Sequence, residues 1–155
     1  MDKLRRRPGG TKMNPLIERL TAKGVVVTEY ENRGEQAREE WKNCFVLIEE
    51  RSQYRPYLWE YLVEEMDGCL VGKEADVALR HTAKWKCLLF FEHSNDVLEL
   101  ELSQAQTFVR KDLTVAAGDY ADVYIVDPAY TWTYVIPHEA DWGPYFLIKS
   151  TMKRG

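Results

Sequence analysis

The chain has 155 residues, of which 45% are hydrophobic and 30% are charged, and its net charge is −4. A disordered chain is excluded, because 12% aromatic residues supply enough apolar surface for a core. A membrane-spanning helix is excluded as well, since no stretch approaches the roughly 18 consecutive apolar residues that a span requires. The length is typical of a single domain, which we place at residues 13–150.

The charge is distributed unevenly along the chain. Residues 1–12 contribute +4 and residues 149–155 contribute +3, so residues 13–148 carry −11. We expect residues 1–12 to be a mobile basic leader, because Pro8-Gly9-Gly10 interrupts them, and residues 151–155 to be a short basic tail. The acidic body favours a basic protein partner, whereas only the leader is suited to contact nucleic acid.

The cysteines and the N-terminus indicate the compartment. Cys44, Cys69 and Cys87 are an odd number without CxxC spacing, which is typical of buried, reduced thiols. No apolar segment follows the basic leader, as a secretory signal would require. We therefore expect a cytoplasmic protein that does not associate with a membrane.

Helical patterns dominate the first half of the chain. Pro15 near the first helical position and Gly24 after the last predict a helix, and a β-branched strand follows at residues 24–30. Further helices are predicted from Glu35, from Pro56 to Gly68, and at residues 72–81. The second of these four helices has an apolar stripe that consists of Ala37, Trp41, Cys44, Phe45 and Ile48. Core positions are also expected for Trp41, Trp59 and Trp85.

Strand patterns dominate the second half. An apolar run at residues 85–92 and the alternating residues 97–102 flank turn-forming residues, which predicts a hairpin. A looser segment spans residues 103–120. A second hairpin is predicted from residues 122–126 and 132–136 around an Asp-Pro turn, and a last strand at residues 145–148.

These elements predict a fold of the α+β class. Because consecutive strands form hairpins, we expect a mostly antiparallel or mixed sheet of about five or six strands. Three or four helices are expected to pack on one face of it.

Catalytic signatures are largely missing from the sequence. It contains no GxGxxG, GxxxxGK[ST], GxSxG or HExxH motif and no zinc-binding spacing of Cys and His. We therefore expect no cofactor and no metal ion. The missing motifs weigh against an enzyme without deciding the question.

The densest group of polar and aromatic residues provides a candidate binding face near the C-terminus. Its central residue is His138, which follows a strand end and would act as an acid or base beside a carboxylate. Because neighbours on an extended chain point to opposite faces, Glu139 is not expected to pair with it. Asp127 and Asp141 are the expected partners, and the alternative is that His138 only ties down its loop. The whole candidate face consists of Asp127, Trp132, Tyr134, His138, Glu139, Asp141, Trp142 and Tyr145.

Trp132 and Trp142 lie beside turns and have two interpretations. Tryptophan is frequent at the hot spots of protein interfaces, so both could anchor a partner. They could equally close one end of the sheet.

The same segment resembles the end of a small, uncharacterised bacterial family. Residues 126–139 and 143–146 are similar to its closing signature, VDxxxxWTYVxxHE…GPYF, and residues 58–59, 69–75 and 88–96 are similar to its earlier part. This domain of unknown function occurs mainly in bacilli and their relatives. The resemblance covers Leu16 to Phe146 and implies an intracellular bacterial protein of about this size, without a settled activity. Its signature positions are Asp127, Trp132, His138, Glu139, Gly143 and Tyr145.

Three functions remain open at this point. The first is a protein-binding domain, such as an immunity or inhibitor protein that neutralises a basic toxin or enzyme, because acidic surfaces accelerate the capture of basic partners. The second is a small enzyme or ligand-binding domain that uses His138, a nearby carboxylate and an aromatic wall. The third is an oligomerising housekeeping domain without catalytic activity.

Overall fold

The computed structural model of the chain describes residues 14–65, 68–82, 85–102, 110–114, 120–139 and 141–149. The predicted leader and tail, and most of the looser segment 103–120, lie outside these residues. The helices are α1 (Asn14–Ala22), α2 (Gly34–Phe45), a 3-10 turn (Ile48–Glu50), α3 (Glu60–Glu65), α4 (Lys73–His81) and α5 (Arg110–Leu113). The strands are β1 (Val25–Tyr30), β2 (Leu70–Val71), β3 (Lys86–Phe91), β4 (Val97–Leu102), β5 (Val123–Val126), β6 (Trp132–Ile136) and β7 (Tyr145–Ile148).

The described strands form one sheet in the order β1-β4-β3-β5-β6-β7-β2, and each of its pairings is antiparallel. Both predicted hairpins, β3–β4 and β5–β6, are present, which confirms the α+β class. The described part contains seven strands rather than five or six. The additional strand, β2, has two residues that pair with β7, and so short a segment has no periodicity from which it could be predicted.

The helices cover both faces of the sheet, so the expectation that they pack on one face is wrong. One face packs against α1, α4 and α5 and contains Leu89 and Ile125; the other packs against α2 and α3 and contains Phe90 and Tyr124. The physical reason is that every residue of β5 and β6 is buried. A strand that is apolar on both sides requires cover on both sides.

Three predictions of burial were wrong. Trp85 is 56% exposed because it lies just outside β3, and Ile48 is 73% exposed because α2 ends at Phe45. Cys69 is half-buried, whereas Cys44 and Cys87 are buried and all three are free thiols, as predicted. Within the described part, none of the helices has the length and apolarity needed to cross a membrane.

The start of α2 is fixed tightly to the β3–β4 turn. Both Arg33 and Gly34 donate their backbone N–H to the carbonyl oxygen of Asn95, at 3.0 and 2.9 Å. Glycine is required at position 34, because a Cβ there would lie 2.4 Å from the carbonyl oxygen of Ser94. The Arg38 guanidinium adds bonds to the carbonyl oxygens of Phe91 and Ser94. These contacts set the position of α2 on the sheet.

Candidate functional site

The candidate site lies at one end of the sheet. Because β3, β5 and β6 are antiparallel neighbours, the end of β3, the start of β5 and the end of β6 meet there. Glu92 follows β3, Asp122 precedes β5, and His138 lies two residues after β6. The topology therefore brings these three residues together at one end of the strands, although they are distant in the sequence.

Asp122 is the centre of the site. Its side chain is 2% exposed, and its Oδ1 accepts hydrogen bonds from the Trp59 Nε1–H at 3.1 Å and the His138 backbone N–H at 2.7 Å. The His138 Nδ1 lies 2.9 Å from the same oxygen. Because an ionised carboxylate only accepts hydrogen bonds, Nδ1 is the donor to Asp122, and in the neutral ring Nε2 carries no proton. The expectation that Asp127 or Asp141 would be the partner of His138 is therefore wrong.

His138 is held at the surface between two carboxylates. Its side chain is 31% exposed, and its Nε2 lies 3.4 Å from Glu139 Oε2. The hydrogen bond to Asp122, with the negative charges of Asp122 and Glu139, raises the pKa of the imidazole despite partial burial. The prediction that Glu139 would not approach His138 was wrong, because the chain bends after Pro137 instead of continuing as a strand.

A second carboxylate, that of half-buried Glu92, holds the segment before α3. Glu92 accepts the Leu58 backbone N–H through both oxygens, at 3.3 and 3.1 Å, and also accepts the Tyr124 hydroxyl. The Tyr124 oxygen in turn accepts the Trp59 backbone N–H at 3.1 Å. Burial raises the pKa of Glu92, and the bonds from Tyr124 and Leu58 oppose that shift. The sheet end therefore fixes residues 58 and 59 by backbone and side chain together.

The rings of Tyr57, Trp59 and Trp142 lie together at this end of the sheet, and we call them the aromatic wall. The Tyr57 ring stacks on Trp59 at 5.7 Å between centroids and lies 4.8 Å from the His138 ring. Trp142 is 46% exposed and its ring centroid is 6.4 Å from that of Trp59. Tyr145 stacks on Trp59 from within the core.

The wall borders an open cleft of about 280 Å³, which we call the aromatic cleft. Its rings come from Tyr54, Tyr57, Trp59 and Trp142, and its carboxylates are Glu60 and Glu139. Tyr54 is 85% exposed, so its ring is available to a ligand.

The loop between β6 and β7, which carries Trp142, depends on Gly143. Gly143 has φ +71°, and a Cβ there would lie 2.8 Å from Cδ of Pro137. The Trp142 backbone N–H donates to the Glu139 carbonyl at 3.1 Å, which closes the turn. The Gly-Pro sequence therefore allows the loop to fold back and place Trp142 beside Trp59.

The structure separates the predicted face into three groups. Glu139 and Trp142 line the cleft, His138 lies next to it against the Tyr57 ring, and Asp141 is exposed in the same loop. A second group is buried: Trp132 and Tyr134 on the α1–α4 side of the sheet, and Tyr145 on the α2–α3 side.

Asp127 forms the third group and lies at the opposite end of β5. It accepts bonds from the Thr131 N–H and hydroxyl, both at 2.6 Å, and from the Trp132 N–H at 3.1 Å. Its position indicates that it stabilises the β5–β6 turn.

Sequence reasoning missed Asp122, Glu92 and the aromatic residues before α3. One signal could have found Asp122. The predicted Asp-Pro turn sets Val126 opposite Thr133 and Val123 opposite Ile136, so the residue before β5 must lie beside the residues that follow β6. No comparable signal pointed to Tyr57 or Trp59, whose position depends on contacts distant in sequence.

Among the described residues, no three His, Cys, Asp or Glu side chains come together as metal ligands would. The arrangement can instead position one imidazole, bind a cation between rings and carboxylates, or do both.

The fold and the site define an α+β protein with an aromatic cleft at one end of an antiparallel sheet. The chain belongs to the family described as Domain of unknown function (DUF4275), which matches residues 13–146. No curated protein and no solved structure matches the chain. The resemblance drawn from the sequence to a domain of unknown function is thus confirmed.

Proposed function

We propose that this chain is a small protein-binding domain whose aromatic cleft holds a basic segment of its partner. The observation that carries the proposal is the combination of exposed rings and carboxylates in one cleft. Tyr54 and Trp142 are 85% and 46% exposed, and Glu60 and Glu139 line the same cleft.

The chemistry of the cleft suits a Lys or Arg side chain. Aromatic rings attract cations through their electron-rich faces, and carboxylates accept their hydrogen bonds. Arg55 also lines the cleft. Its guanidinium lies 5.9 Å from the ring centroid of Tyr61, which is not one of the residues that line the cleft. The charge of −11 on residues 13–148 would steer a basic partner toward the domain.

The finer form of this proposal is an immunity or inhibitor protein of the cytoplasm that neutralises a basic toxin or enzyme. Enzymes that act on nucleic acids are basic because they bind phosphate backbones, and they are suitable partners for an acidic domain. The support for this form is charge complementarity.

The test is a fluorescence-anisotropy screen with labelled twelve-residue peptides that range from acidic to basic. We expect the basic peptides to bind best. Trp142→Ala should weaken their binding by about 2 kcal/mol or more, which is roughly a thirtyfold rise in Kd. Replacing both Glu60 and Glu139 by Gln should weaken binding and reduce its salt dependence. Trp85→Ala is the matched control, because Trp85 is at least as exposed as Trp142 but lies beyond the opposite end of β3. Equal losses in the Trp85 and Trp142 variants, or no preference for basic peptides, would refute the proposal.

A second candidate function is acid–base chemistry, which the Asp122–His138 pair favours specifically. A buried carboxylate that orients a partly exposed imidazole through Nδ1 is the arrangement of a general base. The cleft beside it would hold the substrate. Hydrolysis of p-nitrophenyl acetate and p-nitrophenyl phosphate tests this candidate. Activity must follow the titration of His138 and disappear in both His138→Gln and Asp122→Asn; otherwise the pair only holds the loop.

A further inference from the structure

A second cavity lies on the α1–α4 side of the sheet, between α4 and α5, and no described residue lines both it and the aromatic cleft. Its volume is about 230 Å³. Leu79, which is buried in the core, forms part of its lining. The other residues that line it are charged, and they are Asp76, Arg80, Arg110 and Lys111. We call this cavity the α4–α5 pocket.

The pocket carries a positive charge in an otherwise acidic domain. Three of its residues are basic and one is acidic, whereas residues 13–148 together carry −11. The side chains of Arg80 and Lys111 form no ion pair and no hydrogen bond with the described residues, and both are exposed. Basic side chains around a concave surface concentrate the electrostatic field there and attract an anion.

The one acidic residue of the pocket is engaged within the chain. Asp76 Oδ1 accepts the Tyr134 hydroxyl at 2.6 Å, and Asp76 Oδ2 lies 3.6 Å from Arg110 Nη2. This second distance is longer than a hydrogen bond, although the two charges attract each other. The Arg110 side chain has this one ion pair in the described part of the chain and donates no hydrogen bond there. Asp76 therefore holds Arg110 near the pocket while the N–H groups of Arg110 can still bind a ligand.

The α5 side of the pocket is fixed to α1 and to the core. Arg19 donates to the backbone carbonyl oxygen of Asp112 at 3.3 Å, and Lys23 Nζ lies 2.7 Å from Asp112 Oδ2. Asp112 does not line the pocket, so its paired charge adds nothing to repel an anion there. Leu113 is fully buried. Binding groups whose backbone is held before a ligand arrives lose less conformational entropy on binding.

Two guanidinium groups and one ammonium group suit a phosphate ester better than a carboxylate. A guanidinium pairs with two oxygens of a phosphate, and a lysine adds a compact point charge. A phosphomonoester has three terminal oxygens and between about 1.5 and 2 negative charges at neutral pH, which match the excess of positive charge in the pocket. Sites for whole small molecules commonly measure about 300–1,000 Å³. The smaller α4–α5 pocket therefore suits the phosphate group alone, with the rest of the ligand outside.

We propose that the α4–α5 pocket binds the phosphate group of a small phosphomonoester. The phosphate lies between Arg80, Arg110 and Lys111, and the group to which it is esterified extends toward solvent. This site is independent of the aromatic cleft and goes beyond the function proposed for it.

The experiment compares phenyl phosphate with phenyl sulfate by calorimetric titration of the full chain at low, constant ionic strength. The two probes share the ring and the tetrahedral anion, but at about pH 8 the phosphate carries nearly two negative charges and the sulfate carries one. We expect phenyl phosphate to bind about tenfold more tightly or better, because the second charge is paired with a further basic side chain. A twelve-nucleotide oligothymidine without a terminal phosphate has only singly charged phosphodiesters, and we expect it not to compete.

Two exposed basic residues of the pocket provide the test variants. Arg80→Gln and Lys111→Gln should each weaken the binding of phenyl phosphate by about tenfold or more. Lys73→Gln is the matched control, because Lys73 is exposed on α4 and the substitution removes the same charge, but Lys73 does not line the pocket. This control should keep its affinity to within about twofold, since the charge of a distant exposed residue is screened. Circular dichroism checks that all three variants fold.

Four results would each overturn the proposal. They are failure of the unaltered protein to bind phenyl phosphate, equal affinity for phenyl sulfate, losses in Lys73→Gln as large as those in the pocket variants, and full binding by both Arg80→Gln and Lys111→Gln. Competition by the oligothymidine would also contradict it, because it would indicate a surface for nucleic acid instead of a phosphomonoester site.

Discussion

Asp122→Asn removes the charge at the centre of the site while keeping its shape. Oδ1 of this carboxylate accepts hydrogen bonds from the Trp59 Nε1–H, the His138 backbone N–H and the His138 ring Nδ1–H, at 3.1, 2.7 and 2.9 Å. An amide oxygen can still accept these bonds, but without the charge. The substitution therefore measures the charge rather than a cavity.

The expected loss of stability follows from the kind of bond. A hydrogen bond to a charged group contributes about 1.5–3 kcal/mol, and a neutral one about 0.5–1.5 kcal/mol. Three bonds are affected, and the contribution of the His138 ring is smaller because its side chain is 31% exposed. We expect Asp122→Asn to lower the free energy of unfolding by about 2–3 kcal/mol.

Part of this loss depends on pH through His138. The folded-state pKa of His138 is raised, so the Asp122–His138⁺ contribution is complete below the ordinary pKa of about 6.5 and disappears as the pH rises through the folded-state value. The difference between the unaltered protein and Asp122→Asn should therefore be larger at about pH 5.5 than at about pH 9. In the variant, the pKa of His138 itself should fall.

Urea unfolding at both pH values measures the stability, and an NMR titration of the His138 ring protons measures its pKa. Asp141→Asn is the control, because Asp141 is exposed in the same loop and should change stability by less than about 0.5 kcal/mol. The reasoning fails if Asp122→Asn is as stable as the control, or if His138 titrates unchanged in it.

Three further predictions concern packing. Gly34→Ala should cost about 1–3 kcal/mol in urea unfolding, because its Cβ would lie 2.4 Å from a backbone oxygen of the β3–β4 turn, and an unaffected variant would contradict that close approach. Cys69, half-buried with its pKa raised to about 11 by burial, should react slowly with a thiol reagent in the native protein, whereas Cys87 should react only in denaturant; native labelling of Cys87 contradicts its burial. Trp132→Ala should cost about 3–5 kcal/mol and Trp85→Ala less than about 0.5 kcal/mol, and equal losses would contradict their difference in burial.

Local patterns predicted most elements of the fold, though not β2 or α5, and did not predict their arrangement in space. The hairpins were predictable because each depends on a turn and two adjacent runs, as at Asp127. The β3–β5 pairing joins Leu88 to Val126 across a long segment, and no local pattern encodes it. The continuous apolar runs 88–91 and 123–126 do indicate that helices cover both faces of the sheet, because a strand with one solvent-exposed face would alternate between apolar and polar residues.

The candidate site was only partly predictable for the same reason. His138, Glu139 and Trp142 follow a strand in sequence, so their position at a sheet end was readable. Trp59 is buried, as the sequence predicted, yet it also forms the wall of the cleft, and that second role depends on its bond to Asp122. Trp132 shows the converse. Its place beside a turn allowed a surface role, but its side chain is buried in the core on the α1–α4 side of the sheet.

The carboxylates of buried Asp122 and half-buried Glu92 show how this end of the sheet supports the aromatic residues above it. Removing a carboxylate from water costs several kcal/mol, and apolar residues in their place would often be at least as stable. Glu92 and Asp122 lie side by side just outside the adjacent strands β3 and β5, where the Glu92 N–H donates to the Asp122 carbonyl at 3.2 Å. Leu58 and Trp59 each donate one of the hydrogen bonds that offset the desolvation of these carboxylates, and His138 and Tyr124 donate the others. The carboxylates therefore fix, through backbone and indole together, the segment that carries the aromatic wall. A wall fixed before binding loses little conformational entropy when a partner arrives, which is the condition under which a small cleft binds well.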